Sequence, residues 1–194
     1  MTTVEKPFYT FEQYLEIERA REYRSEYFAG EIFAMASGTE NHSLVIVNVA
    51  SILGSQLKDR PCKVYTSDMR VKVQATGLTT YPDISALCGK SEFIDDVRDT
   101  LLNPQLIVEV LSPSTESYDR GKKFEHYRKI ESLQDYVLIS QDRKLVECFS
   151  RESDGSWSMR DASASGQSIR LASLDCDLPL DEVYSKVEFG EQQP

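Results

Sequence analysis

The spacing of apolar residues changes from segment to segment along this chain, and each change predicts an element. FYTFEQYLEIERA (8–20) places Phe11, Tyr14, Leu15 and Ile17 on one side of a short helix that Thr10 can cap. YRSEYFAGEIFAMAS alternates about Ala29-Gly30, the pattern of a tight hairpin with Tyr27, Ile32 and Phe33 inward. NHSLVIVNVASILGSQLKDR predicts a long helix, capped by Ser37 or Thr39. Its apolar residues Leu44, Val45, Val47, Val49, Ile52, Leu53 and Leu57 are too widely spread for one narrow stripe, so cover on more than one side is expected.

After Pro61, CKVYTSDMRVKVQ predicts one or two strands. YPDISALC predicts another, since Pro82 fits the start of a strand but not its middle. Residues 89–104 read as a polar, irregular connection. QLIVEVL (105–111) is the most continuously apolar run and predicts a central strand covered on both faces. STESYDRGKKFEHYRKIES follows as a helix capped by Ser114 or Thr115. DYVLISQDRKLVECFSRE predicts two antiparallel strands about Gln141-Asp142, followed by a weaker strand near Trp157 and a closing helix, DEVYSKV. Strands and helices in this mixed order define an α/β or α+β class around one mixed sheet, with residues 8–185 as a single domain and flexible ends at 1–7 and 186–194.

At 194 residues and 40% hydrophobic content the chain can bury a substantial core. It has no run of the roughly 18–20 apolar residues that a membrane span requires, and its first residues lack a signal peptide's basic start and apolar core, so a cytoplasmic protein without a membrane partner is expected. Cys62, Cys88, Cys148 and Cys176 are far apart and form no CxxC pair, which suits buried thiols in a reducing compartment. The net charge of −10 argues against a protein that coats nucleic acid by electrostatics alone. An acidic catalytic site screened by bound cations is still compatible with it.

Glu109 stands inside the apolar run of LIVEVL, where a carboxylate loses hydration worth several kcal/mol and needs a cation, strong donors or a raised pKa. Asp83, at the start of another apolar strand, is the natural companion, because neighbouring strands lie about 4.8 Å apart. Two such carboxylates can share magnesium or manganese, which keep several waters and need only one or two carboxylates and a backbone carbonyl. The plainer alternative is a pair of acids bonded to backbone amides or arginine. On the following helix Lys123 shares a stripe with Arg120, Tyr127 and Ile130. There its ammonium can orient water, stabilise a pentavalent phosphate or lose its proton through desolvation; alternatively it snorkels to water.

GEIFAMASGTENH, SDMRVKV, YPDISALC, LIVEVLSPST, DRGKKFEHYRK and DYVLIS, in this order, resemble the Uma-two family of restriction-endonuclease-like proteins, within the PD-(D/E)XK nuclease superfamily. The likeness spans roughly residues 8–185. It implies a restriction-endonuclease-like core, a central mixed sheet flanked by helices with an N-terminal hairpin. It also implies a Mg2+- or Mn2+-dependent phosphodiesterase, a DNA endonuclease, working as a homodimer. Matched by motif, Asp83 and Glu109 are the two acids and Val110 offers its backbone carbonyl as a further metal ligand. The superfamily's usual lysine position is here Leu111, so that role passes to Lys123. Glu31, or Glu26 if the hairpin has the other parity, and His42 match polar positions near the cleft, although a helix start explains His42 as well. Asp68 can add an acid, or simply form a turn in TSDMR. Tyr127 can brace Lys123, touch a phosphate or pack in the core. The competing reading is a nuclease-fold protein that binds nucleic acid or a protein partner without cleaving.

Overall fold

The computed structural model describes residues 7–35 and 38–190. Thr10 closes a reciprocal capping box with Gln13 at the start of α1 (Phe11–Ala20), which buries Tyr14, Leu15 and Glu18. The hairpin of β1 (Ser25–Phe28) and β2 (Glu31–Ala34) turns at Ala29 and Gly30, both at positive φ (49° and 86°), as a two-residue loop requires. A Cβ on Gly30 would also meet the Phe8 ring at 2.2 Å. Register pairs Tyr27 with Ile32 and Glu26 with Phe33, so Ile32 turns toward the small core around Tyr14 while Phe33 lies on the opposite face beside Glu26, 45% exposed. Inward placement of both Ile32 and Phe33 is therefore corrected: adjacent strand residues point to opposite faces.

Thr39 caps α2 (Glu40–Leu57) by accepting from the His42 N–H; Ser37, the other expected cap, lies outside the described residues. The helix buries Val45, Val49, Ile52, Leu53 and Leu57 and leaves Val47 57% exposed. A second side is covered by the C-terminal segment, whose backbone carbonyls at Val183 and Ser185 accept from Asn48.

Two larger mixed sheets form, not one. The first has six strands in the order β11-β10-β9-β8-β6-β3, from Trp157–Ala162 (β11), Val146–Arg151 (β10), Asp135–Ser140 (β9), Leu106–Leu111 (β8), Ile84–Cys88 (β6) and Cys62–Thr66 (β3); only β8 and β9 run parallel. The second has five strands in the order β2-β1-β5-β4-β7, adding Thr79–Thr80 (β5), Arg70–Lys72 (β4) and Thr100–Leu101 (β7) to the hairpin. The segment expected to be irregular, 89–104, thus contains β7, paired parallel to β4. Two further short strands, β12 (Ser168–Leu171) and β13 (Cys176–Pro179), pair with each other and lead into α5 (Leu180–Val183), shorter than the predicted closing helix.

Every residue of β8 is buried. Its even positions, Leu106, Val108 and Val110, join the core beneath α2, whereas Ile107 and Leu111 join the core containing Tyr127 and Tyr136. By parity Glu109 faces this second layer. Cys62 and Cys88 stand opposite each other across β3 and β6 and form a disulfide, correcting the expectation of four free thiols; Cys148 and Cys176 are free and buried. Val187 and Phe189 pack against the first core, so part of the expected flexible C-terminal end is held; 1–6 and 191–194 lie outside the described residues.

The helical segment after β8 runs from α3 (Glu116–Tyr118) through a wide π turn (Asp119–Lys123) into α4 (Phe124–Tyr127). It stops before the predicted Ser132 because Ile130 and Leu133 turn into the core and the Arg151 guanidinium takes over the freed carbonyls of Arg128, Ile130 and Leu133, at 2.8–2.9 Å. Arg151→Ala should lower the urea-unfolding free energy by about 1.5–3 kcal/mol, the scale of hydrogen bonds to a charged group, with an unchanged slope.

Candidate active site

Asp83 lies immediately before β6. Ile84 pairs with Val108 in antiparallel register, and one step further brings Asp83 opposite Glu109 on neighbouring strands. Asp83 Oδ2 accepts from the Val110 N–H at 2.7 Å, so the backbone-amide alternative for this acid is partly realised. Glu109, 4% exposed, meets a lysine rather than an arginine: Lys123 Nζ lies 2.9 Å from Oε1, which also accepts from Tyr127 OH at 2.8 Å. Tyr127, fully buried, thus braces Glu109 rather than touching a phosphate.

Lys123 is brought inward by the π turn and is 5% exposed, so it does not snorkel. Besides Glu109 it faces Asp119 Oδ1 at 3.3 Å and Glu26 Oε1 at 3.5 Å. Burial works to strip its proton, but the surrounding carboxylates outweigh burial and hold its pKa well above the usual lysine value. Of the expected roles, this direction favours those of the ammonium over loss of its proton. Burial pushes Glu109 up, to about 8, against the pull of Lys123. These two shifts oppose one another, since a neutral Glu109 attracts Lys123 less. Glu109, Asp119 and Glu26 together surround the ammonium and favour its charged form.

His42 enters from the first turn of α2, its Nε2 3.3 Å from Asp83 Oδ2. Burial lowers its pKa, but Asp83, then Asp119 and the Val110 backbone, raise it to a net increase. A Cβ on Gly38 would lie 2.6 Å from His42 Nδ1, so Gly38 leaves the space that the ring occupies.

The hairpin register resolves the choice between two glutamates. Glu26 faces the site, accepting from Thr80 Oγ1 and from Tyr118 OH at 3.4 Å. Glu31 stands opposite Phe28 at the turn end and lines a different hollow with Arg21 and Tyr23, so its expected place at the cleft is corrected in favour of Glu26. Asp68 is also outside the cleft: it lies in the turn between β3 and β4, 80% exposed and paired with Arg24. Asp119 was missed by sequence reasoning. It is 3% exposed, and its Oδ1 meets Lys123 without a hydrogen-bond partner among the described residues. The i,i+4 spacing of Asp119 and Lys123 was the available signal.

Glu26, Asp83, Glu109, Asp119, His42 and Lys123 thus converge on one cleft of about 450 Å³. Among the described residues no group of three or more histidine, cysteine or acidic side chains is arranged as a ready metal cage. The donors nevertheless suit a hard cation that retains water: two carboxylates on adjacent strands, the Val110 carbonyl and the Asp119 carboxylate beside Lys123 offer oxygen ligands. Leu111, where the superfamily's lysine would stand, is buried in the core.

Mixed sheets flanked by helices, with facing acids on two adjacent strands and a lysine from the next helix, place the chain in the restriction-endonuclease-like fold class. A solved structure described as a "putative nuclease belonging to DUF820" from Anabaena variabilis is similar to it, with a TM-score of 0.74 at 20% identity, covering 91% of this chain and 98% of that one. The Uma2 family model, described as "Putative restriction endonuclease", matches residues 11–181. Two uncharacterized proteins of Synechocystis sp. are also similar: slr1290 is 34% identical over 180 residues (92% of each chain), and sll1609 is 31% identical over 163 (84% of this chain, 92% of the other). The chain belongs to the Uma2 family.

Removing either support of Glu109 should be visible as stability. Tyr127→Phe should cost about 1–3 kcal/mol, and Lys123→Met, which strands buried carboxylates, about 3–5 kcal/mol in metal-free buffer near neutral pH. A carboxyl that binds its proton more tightly when folded destabilises the fold as pH rises above the unfolded value, 4.5, toward the folded one. Relative to Glu109→Gln, whose amide does not titrate, the unaltered protein should therefore lose stability as pH rises from 4.5 toward about 8, read by denaturant unfolding across that range.

Proposed function

We propose that this protein is a divalent-metal-dependent phosphodiesterase, a DNA endonuclease. The observation that carries this reading is the convergence of Asp83 and Glu109 from adjacent strands with the Lys123 ammonium 2.9 Å from Glu109. Asp83, Glu109 and the Val110 carbonyl would hold Mg2+ or Mn2+, which supplies Lewis acidity toward phosphoryl oxygen and water. The Val110 N–H orients Asp83, and Tyr127 fixes Glu109. Lys123, whose charged form the surrounding carboxylates favour, would stabilise negative charge developing at the phosphate. The family description and the fold shared with a structure described as a nuclease support this reading.

One observation favours the competing reading, a binding protein that does not cleave. Lys123 is already engaged by three carboxylates, which weakens its hold on a phosphate. The same experiment separates the two. Purified protein should nick plasmid DNA in Mg2+ or Mn2+ but not in chelator, and Asp83→Asn, Glu109→Gln and Lys123→Met should each slow cleavage by about 10²–10³-fold. Calorimetric Mn2+ binding should weaken in the two acid variants and persist in Lys123→Met. Metal binding without cleavage of DNA or RNA would leave the binding reading standing; neither binding nor cleavage would end the metal mechanism.

A further inference from the structure

The cleft does not end at His42 and Asp83. Beyond them lies a second hollow of about 520 Å³, which shares Gly38, His42 and Asp83 with the first and reaches Arg24 and Ser67. Its other charged lining residue is the exposed Glu22, so apart from His42 the positive end of this bay is Arg24 alone.

Arg24 is held in a defined orientation. Its guanidinium lies 5.8 Å from the centroid of the Tyr81 ring, Nη1 donates to Ser67 Oγ at 3.2 Å, and Nη2 pairs with Asp68. Tyr81 is a firm platform. It is 7% exposed, its OH donates to the buried Glu18 at 3.0 Å, and it sits two residues before Asp83 on the wall of the cleft. The pair with Asp68 is a weak competitor, because the two side chains are 44% and 80% exposed and exposed pairs contribute only about 0–1 kcal/mol. A phosphate, which matches the guanidinium fork, can displace it.

We propose that Arg24 binds a phosphate group of the substrate strand other than the one cleaved, so that the bay carries the sugar-phosphate chain out of the catalytic cleft. This rests on the nuclease reading and adds a positioning residue to it. Arg24 contributes to holding and registering the strand, with its guanidinium set at the bay by the Tyr81 face and Ser67.

The test uses the full chain, Arg24→Ala and Arg24→Lys, with fluorescein-labelled duplex DNA, single-stranded DNA and RNA oligonucleotides of one sequence. Anisotropy is read in calcium across a salt series, and cleavage in magnesium or manganese. Arg24→Ala should weaken binding about tenfold, and the slope of log affinity against log salt should become shallower by about 0.9 for duplex or about 0.7 for single strands, the loss of one phosphate contact. Its cleavage defect should fall more on KM than on kcat. Arg24→Lys should restore the salt slope and only part of the affinity, since it keeps the charge and loses the fork. If the unaltered protein cleaves but Arg24→Ala leaves affinity and slope unchanged, or lowers kcat alone, the phosphate assignment is overturned while the nuclease reading stands. If the unaltered protein neither binds nor cleaves any of the three probes, both are overturned.

Discussion

The buried contact between Glu109 and Lys123 is the constraint around which the rest of the site is arranged. A carboxylate inside a strand buried at all six positions loses several kcal/mol of hydration, and a hydrocarbon neighbour returns none of it. Lys123 and Tyr127 answer that cost together at the same oxygen. Both come from the helical segment after β8, so the segment must return across the sheet at a set height. The π turn at Asp119–Lys123 lies where this return is made, and such wide turns are costly enough to be concentrated at functional positions.

One strand consequently serves two purposes. The faces of β8 alternate, with Leu106, Val108 and Val110 clamped beneath α2 and Ile107 and Leu111 set in the opposite layer with Tyr127 and Tyr136. A side chain between Ile107 and Leu111 has little freedom to move, which is what a ligand or charge stabiliser needs. The same clamping fixes the Val110 backbone, whose N–H holds Asp83. His42 inherits its place from α2, which Asn41, Asn48 and Gln56 tie to the backbone of the C-terminal segment at Glu188, Val183 and Asp177.

What could be read from the sequence was whatever depends on neighbours along the chain. The run LIVEVL announced a central strand with an anomalous acid, YPDIS announced its companion, and the stripe through Lys123 and Tyr127 announced which lysine turns inward. What could not be read depends on register between distant segments. Choosing Glu26 over Glu31 needs the pairing of Glu26 with Phe33, and the Cys62–Cys88 disulfide needs the β3–β6 ladder. The second sheet was hidden because β5 and β7 are two residues long, too short for any period to show. Placing both Ile32 and Phe33 inward was different in kind, because strand alternation alone forbids it.

The charge of the cleft bears on how an acidic protein could handle a polyanion. Glu26, Asp83, Glu109 and Asp119 face Lys123 and His42, and Lys123 is shared among three of those acids. Such a lining repels phosphate until protons or cations offset it, and the overall charge of −10 gives no long-range attraction to compensate. On the nuclease reading, affinity for the substrate is therefore coupled to cation loading. On that reading a divalent ion held between the acids would reverse the local field where the scissile phosphate sits, and Arg24 would take a further phosphate of the same strand.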